Sequence, residues 1–415
     1  MKPSSEQTLL VLGASRYQGP VIVSAQRSGR RVIAVDGSRD ASCASLADDF
    51  IHVDTTDANG ILNRLSGTRI DGVIAPATDV AMAAQAKIAA ARGLWGPPVE
   101  AARALSDKNA FRRLQVELSL PTPAFRTLAP NDSTPTEDFA DAYVVKPARS
   151  SGGKGAGKAL TLAGAGRLVD EARRFSSEVL FEALVDGLEG TVEGAYADGR
   201  LLASFFTRRT PAEPPNVATV RHAAPAGFTA AAREDAIGQI AAIFVRLNIR
   251  RCYFDCDFIV DAATGRVVLL ELAPRIGGNS LSRLIDAHWG IDVPALGVDL
   301  ALHGADPAWP GDAWCASLAG AAAREDKGAH AIEILTVDRS GRLSYDLAGA
   351  TQLRTQEGVL HLELDYLAGA AVRAFANGRD RVGEALVAAA SISELEDAIV
   401  RLRTTLKLTV ECALP

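Results

Sequence analysis

The N-terminal segment Thr8–Arg92 alternates short apolar runs with stretches of helical periodicity. That alternation restricts it to a small parallel sheet with helices on both faces. Leu9-Leu-Val-Leu12 ends at Gly13, Val32-Ile-Ala-Val35 ends at Asp36, and a third run spans Gly72–Pro76. Pro20–Ser28, Ala58–Leu65 and Val80–Arg92 read as the helices. Strands covered on both faces read as continuous apolar runs, as these do.

Gly13-Ala-Ser-Arg-Tyr-Gln-Gly19, followed by Asp36 at the end of the next strand, invites a dinucleotide-binding reading. That fingerprint needs glycines where the backbone approaches a pyrophosphate. Ser15 and Gln18 stand at two of those positions. The segment therefore reads as a strand-to-helix turn whose helix N-terminus can face a small anionic substrate.

At 415 residues the chain exceeds one ordinary core and divides into two or three domains, with expected spans 1–104, 105–309 and 310–415. A net charge of -6 gives it no general attraction for nucleic acid. The five cysteines, Cys43, Cys252, Cys256, Cys315 and Cys412, are odd in number and scattered, which points to free thiols and a cytoplasmic location. The polar start, Met1–Gln7, shows no leader, and no apolar run reaches bilayer length, so no membrane partner is expected.

Further along, Ser106 reads as the N-cap of a helix reaching Leu118, which Leu120-Pro-Thr-Pro123 breaks. Ala129–Asp138 and Thr210–Asn216 read as loops, Tyr143–Lys146 as a strand and Ala230–Leu247 as a helix. Short strands between Val179 and Glu193 flank Val185-Asp186-Gly187. Cys252–Val260 and Val267–Leu272 read as adjacent strands joined by the turn Ala262–Gly265. Beyond Pro310 come strands around Ala331–Val337 and Val359–Leu364, then a helix over Ser393–Leu406.

Three stretches carry chemistry. In Val144-Val-Lys-Pro-Ala-Arg-Ser-Ser-Gly-Gly-Lys-Gly-Ala-Gly157 a strand delivers Lys146 to the start of a glycine-rich loop. Glycines let backbone N–H groups fold around phosphate oxygens, and the lysine adds a fixed charge. The pattern is not a Walker motif. Glu182-Ala-Leu-Val-Asp-Gly-Leu-Glu189 reads as an extended hinge, able to offer backbone groups to a base and Glu189 to a ribose. Asp257 and Glu271 lie on the paired strands and can face one another, an arrangement that calls for a cation such as Mg²⁺. Glu271 follows a buried run, and a buried acid needs a partner. Singly, Lys108, Glu182 and Glu189 would read as surface charges.

The order of these features, lysine, lysine with a glycine loop, hinge glutamate, acid, then Glu271-Leu-Ala-Pro-Arg-Ile-Gly-Gly278, resembles the ATP-grasp superfamily from about Leu9 to Asn279. Its carboxylate–amine ligase branch and the carbamoyl-phosphate-synthase-like proteins look closest. Gly13-Ala-Ser-Arg-Tyr-Gln18, Val35-Asp36 and Ile70-Asp-Gly-Val73 resemble their N-terminal domain. Arg381-Val-Gly-Glu-Ala-Leu-Val387 resembles the closing domain of biotin carboxylase and the L-amino acid ligases. The resemblance implies an α/β fold: a Rossmann-like domain, a two-lobed ATP-grasp module and a C-terminal α+β domain. It implies that Lys108 and Lys146 bind ATP phosphates, and that Ser151 to Gly157, with Gly152 and Gly153, form a lid. By the same resemblance Glu182 and Val185 contact adenine through their backbone, Glu189 the ribose, Asp257 and Glu271 a Mg²⁺ ion, and Arg275 an acyl phosphate. His222 falls near the phosphates in several relatives and otherwise reads as a structural histidine. Gly277, Gly278 and Asn279 fall on the substrate side. Ala273 stands where many members have an asparagine metal ligand, which leaves the number of metals open. The implied activity is ADP-forming ligation of a small carboxylate to an amine, with an amino acid as one substrate. The resemblance is also compatible with a homodimer. A bicarbonate-using carboxylase or carbamoyl-phosphate type enzyme is the second reading, and a non-catalytic ATP-binding module the third.

Overall fold

The computed structural model describes residues 7–322 and 328–411. Met1–Glu6, which hold most of the polar start, and Cys412 lie outside them.

The N-terminal sheet has four parallel strands in the order Asp49–His52, Arg31–Asp36, Thr8–Leu12, Gly72–Ile74. The three apolar runs are strands as expected. Asp49–His52 is an addition, an edge strand that is only half buried, so it carries no apolar run to reveal it. Helices Gly19–Arg27, Ala58–Arg64 and Met82–Arg92 flank the sheet. One face packs on Ile61, Leu65 and Ile88. The other packs on Val293, Leu296 and Leu300 of the much later helix Val293–His303. Gly72 permits that contact, because a Cβ there would lie 2.7 Å from the Ala301 carbonyl oxygen. A core built from residues 9–34 and 291–321 thus crosses the expected domain spans.

Two helices follow, Val99–Leu105 and Lys108–Glu117. Asp107, not Ser106, caps the second: its carboxylate accepts from the Ala110 N–H, while Ser106 ends the first helix. Asp107 has the extended backbone of an N-cap, whereas Ser106 is still helical.

The small lobe is a four-stranded antiparallel sheet, Phe125–Leu128, Val179–Ala183, Tyr143–Pro147, Gly157–Ala159, covered by helix Leu162–Arg173. The large sheet has eight antiparallel strands, in the order Val267–Ala273, Arg251–Asp261, Gly187–Ala197, Arg200–Pro211, Thr219–Ala224, Ala329–Leu335, Gly383–Ala389, Val359–Leu364. Of the short strands expected between Val179 and Glu193, the first is Val179–Ala183 and the second is the start of the eleven-residue strand Gly187–Ala197. Arg200–Pro211, Thr219–Ala224 and Gly383–Ala389 were not expected as strands, and the expected loop begins only after Pro211. Helix Ala230–Arg246 buries Ile240, Ile243 and Phe244 against this sheet. The sheet passes without a break across position 310, since Arg221 pairs in register with Glu333 and bonds it at 2.6 Å. Helix Ile392–Leu406 and a three-stranded sheet of Ala371–Val372, Gly341–Ser344 and Thr409–Glu411 complete the C-terminal part.

Candidate active site

Both lobes, the N-terminal sheet and the C-terminal part converge on one cleft of about 670 Å³. Strand Tyr143–Pro147 carries Lys146 to its rim, where Nζ lies 2.7 Å from Glu182 Oε2. Glu182 is 2% exposed and also bonds the fully buried Arg112. Arg112 is fixed in turn by Gln115 and by the Leu269 carbonyl oxygen at 2.7 Å. Burial alone would raise the Glu182 carboxyl, but the two cations beside it hold it at about 2. The same burial lowers the Lys146 ammonium, against the pull of Glu182. The Glu182 side chain therefore sets Lys146 in place, a role absent from the sequence reading. Its peptide lies between strands, opposite Phe125 and Val144, and the chain from Ala183 to Val185 lines the cleft beyond it.

Lys108 opens its helix with its N–H bonded to the Ala148 carbonyl oxygen at 2.9 Å. Its Nζ donates to the Ser150 carbonyl oxygen at 3.1 Å and lies 3.6 Å from Glu271. The loop between them turns on Gly152, Gly153 and Gly155, with φ of 65, 75 and 71°, which only glycine adopts freely. Ser151 lies beside them on the cleft wall.

On the large sheet, Asp257 and Glu271 are register partners, as their spacing allowed. Asp257 accepts from Thr191 Oγ1, and Arg209 Nε stands 3.5 Å away. Burial raises the Asp257 carboxyl and Glu271 pushes it further, against the pull of Arg209. Two carboxylates that face each other in a cleft fit a divalent cation, which would relieve their repulsion. Glu189 is held by Arg209 and by Lys158 at 3.4 Å. Arg209 thus joins the expected ribose acid to an expected metal acid.

Arg275 is 8% exposed and forks between Asp79 and Asp255, which bind it firmly enough to raise its pKa despite burial. Asp79 follows the N-terminal sheet, so this fork also ties that sheet to the large lobe. Asp255 is pushed up to about 7, above all by burial, with Arg275 opposing. Its cross-strand partner Glu193 is fully buried and is raised by burial and by Asp255.

His222 is buried at the cleft wall, with Nδ1 3.3 Å from Thr207 Oγ1. Burial, then Arg209, lowers it to about 3, so it is neutral near pH 7. Its Nε2 is buried and has no hydrogen-bond partner among the described residues. Gly278 and Asn279 line the cleft, but Gly277 does not. A Cβ on Gly277 would sit 2.0 Å from Glu193 Oε1, so that glycine makes room for a buried acid and does not face a substrate.

The structure adds cleft residues that the sequence reading missed: Asp79, Asp255, Arg209, Lys158, Arg379 and Arg381, and it brings Lys154 of the expected lid to the same cleft. Asp255 was recoverable, since it stands two residues from Asp257 and shares its face of the strand. Arg209 had no such signal, because its strand was not recognised.

The fold recurs in known structures. The chain superposes on an L-amino acid ligase from Bacillus licheniformis with a TM-score of 0.81 at 18% identity, covering 99% of this chain and 100% of that one. It superposes on a phosphoribosylglycinamide synthetase from Anaerococcus prevotii at 0.72 and 16% identity, covering 98% and 100%. The chain has the ATP-grasp fold. Residues 333–411 match the model of the L-amino acid ligase C-terminal domain 2. A formate-dependent phosphoribosylglycinamide formyltransferase from a Synechococcus strain is 33% identical over 152 residues, 36% of this chain and 38% of that protein. One from Solidesulfovibrio magneticus is 30% identical over 190 residues, 44% and 48%. The chain thus spans less than half the length of the curated relatives it matches. No helix among the described residues is long and apolar enough to cross a membrane.

Proposed function

We propose that the protein is an ATP-dependent, ADP-forming ligase that activates a small carboxylate as an acyl phosphate and transfers it to an amine, with an amino acid as one substrate. The observation that carries this is the single cleft in which Lys108, Lys146, the glycine loop, Asp257, Glu271 and Arg275 meet. The matches to an L-amino acid ligase, in overall fold and in the C-terminal domain, support the amino acid substrate.

In this reading Ala183 to Val185 hold the base and Glu189 the ribose. Lys146, steadied by Glu182, and Lys108 take the phosphate oxygens. Asp257 and Glu271 would hold Mg²⁺, which when bound supplies charge neutralisation for the transferring phosphoryl group. The glycine loop closes over the phosphates and keeps water from the activated acid. Arg275 lies beside Asp255 with its charge already balanced, so it positions the acid more than it attracts it.

A second reading takes formate or bicarbonate as the acid, and the formate-dependent relatives favour it. Both readings require one oxygen of the acid to leave with the phosphate. With acid labelled by oxygen-18 at its carboxyl group, released phosphate should carry one labelled oxygen and the amide should keep the other. Unlabelled phosphate from a productive reaction rules out the acyl phosphate. Comparing amino acids with formate and bicarbonate decides between the acids.

A further inference from the structure

Most cations of the cleft are already paired. Lys146, Lys158, Arg209, Arg275 and Arg381 each face a carboxylate. Lys154 and Arg379 differ: both line the cleft, and among the described residues neither side chain forms an ion pair or a hydrogen bond.

They come from distant parts of the chain. Lys154 sits in the glycine loop between Gly153 and Gly155, and Arg379 in the loop leading to strand Gly383–Ala389. One direct backbone bond, and contacts through a third loop around Pro215, fasten these loops together. The Gly378 N–H donates to the Gly152 carbonyl oxygen at 2.9 Å. Asn216 Nδ2 donates to the Phe375 carbonyl oxygen at 3.1 Å, and the Lys158 N–H to that of Pro215 at 2.7 Å. Burial lowers the Lys154 ammonium, and Arg379 lowers it next, with Asp79 opposing and Lys108 adding to the effect. Like charges brought together in a partly buried place repel unless an anion enters between them. The closed loops thus hold a place shaped by charge for a group that is negative.

We propose that Lys154 and Arg379 form a two-cation clamp for one oxyanion, a phosphate or a carboxylate, and that capturing it couples closure of the glycine loop to the C-terminal part. The clamp rests on the nucleotide reading of the cleft. Its oxyanion has two sources: the phosphoryl group in transfer, or the carboxylate of a substrate.

Hydrogen–deuterium exchange of segments 150–157 and 375–381 in the full chain tests it, with Mg·ADP binding followed separately by calorimetry. Adding inorganic phosphate to the Mg·ADP complex should slow exchange in both segments together by roughly tenfold, the worth of one charge-assisted hydrogen bond. Arg379→Gln should lose that response while binding Mg·ADP as the native chain does, and Arg379→Lys should keep most of it. Protection by the β,γ-imido analogue of ATP alone assigns the oxyanion to the phosphoryl group. Protection that appears only when acetate is added assigns it to a substrate carboxylate. Equal protection of Arg379→Gln, or binding of Mg·ADP with no response to any of these anions, overturns the clamp alone. Failure of the native chain to bind Mg·ADP overturns the nucleotide reading, and the clamp with it.

Discussion

The two ends of the cleft treat charge differently. At the hinge end the cations already have acid partners: Lys146 and Arg112 share Glu182, while Lys158 and Arg209 share Glu189. At the lid end Lys154 and Arg379 have none among the described residues. A paired group keeps its position with or without a ligand, because its partner already holds it. An unpaired one is compensated only when the ligand arrives. The hinge end is therefore a preformed seat, and the lid end is completed by what it binds.

Asp257 and Glu271 lie where the two ends meet, and the largest effect is expected there. Asp257→Asn or Glu271→Gln should lower turnover of ATP by about 100-fold or more while the fold persists, since each removes one cation ligand. The circular dichroism spectrum and the unfolding midpoint should stay near those of the native chain. Native turnover in both variants would break the comparison at its centre, because the cation would then be held elsewhere.

Next comes the seat itself. Glu182→Gln should lower stability by roughly 3 kcal/mol, because Arg112 stays buried with a neutral partner. The effect reads as an earlier urea midpoint at unchanged slope. It also carries a pH signature. The folded carboxyl titrates at about 2 against an ordinary 4.5, so the folded state favours the charged form. Its contribution is complete above the ordinary value and is lost as pH falls from there toward 2. Glu182→Gln should flatten the stability curve across that acid window. An unchanged acid limb would show that the Arg112–Glu182–Lys146 group is not the preformed unit described here.

How far the sequence reveals all this depends on the range of the interaction. Local features were legible: the three apolar strands, the glycine loop after Lys146, and the facing of Asp257 and Glu271 through a short turn. Long-range ones were not. Arg112 and Glu182 are 70 positions apart, and nothing local marks them as partners. Arg200–Pro211 ends in Thr-Arg-Arg-Thr-Pro, polar enough to resemble the loop that follows it, and Arg209 was hidden with it. The strand Ala329–Leu335 was expected, but a strand's own residues do not say which neighbour it pairs with. Gly277 was read from its place beside Arg275, whereas its actual constraint comes from Glu193 on another strand.

The smallest effect is expected at the first glycine turn, which sharpens the comparison by supplying a third case. Asp36 lines the cleft, and in a dinucleotide enzyme an acid at the end of this strand would bind a ribose. Here its two oxygens are engaged within the turn: the Ala14 N–H donates to one at 2.9 Å and the Ser38 N–H to the other at 2.8 Å. Gln18 fills the space where a pyrophosphate would approach, with its Cδ 2.9 Å from where a Cβ on Gly13 would stand. It is fixed there by bonds from the Ser15 N–H and to the Pro76 carbonyl oxygen. Paired acids and a filled turn leave no seat for a second nucleotide. Titration with NAD should therefore show no saturable binding. Asp36→Asn should cost only about 1 kcal/mol, since the amide oxygen can replace one acceptor but its NH₂ group cannot replace the other. Micromolar NAD binding that disappears in Asp36→Asn would instead make this turn a nucleotide site, and a carboxylate paired within its own turn would no longer mark a place as closed to ligands.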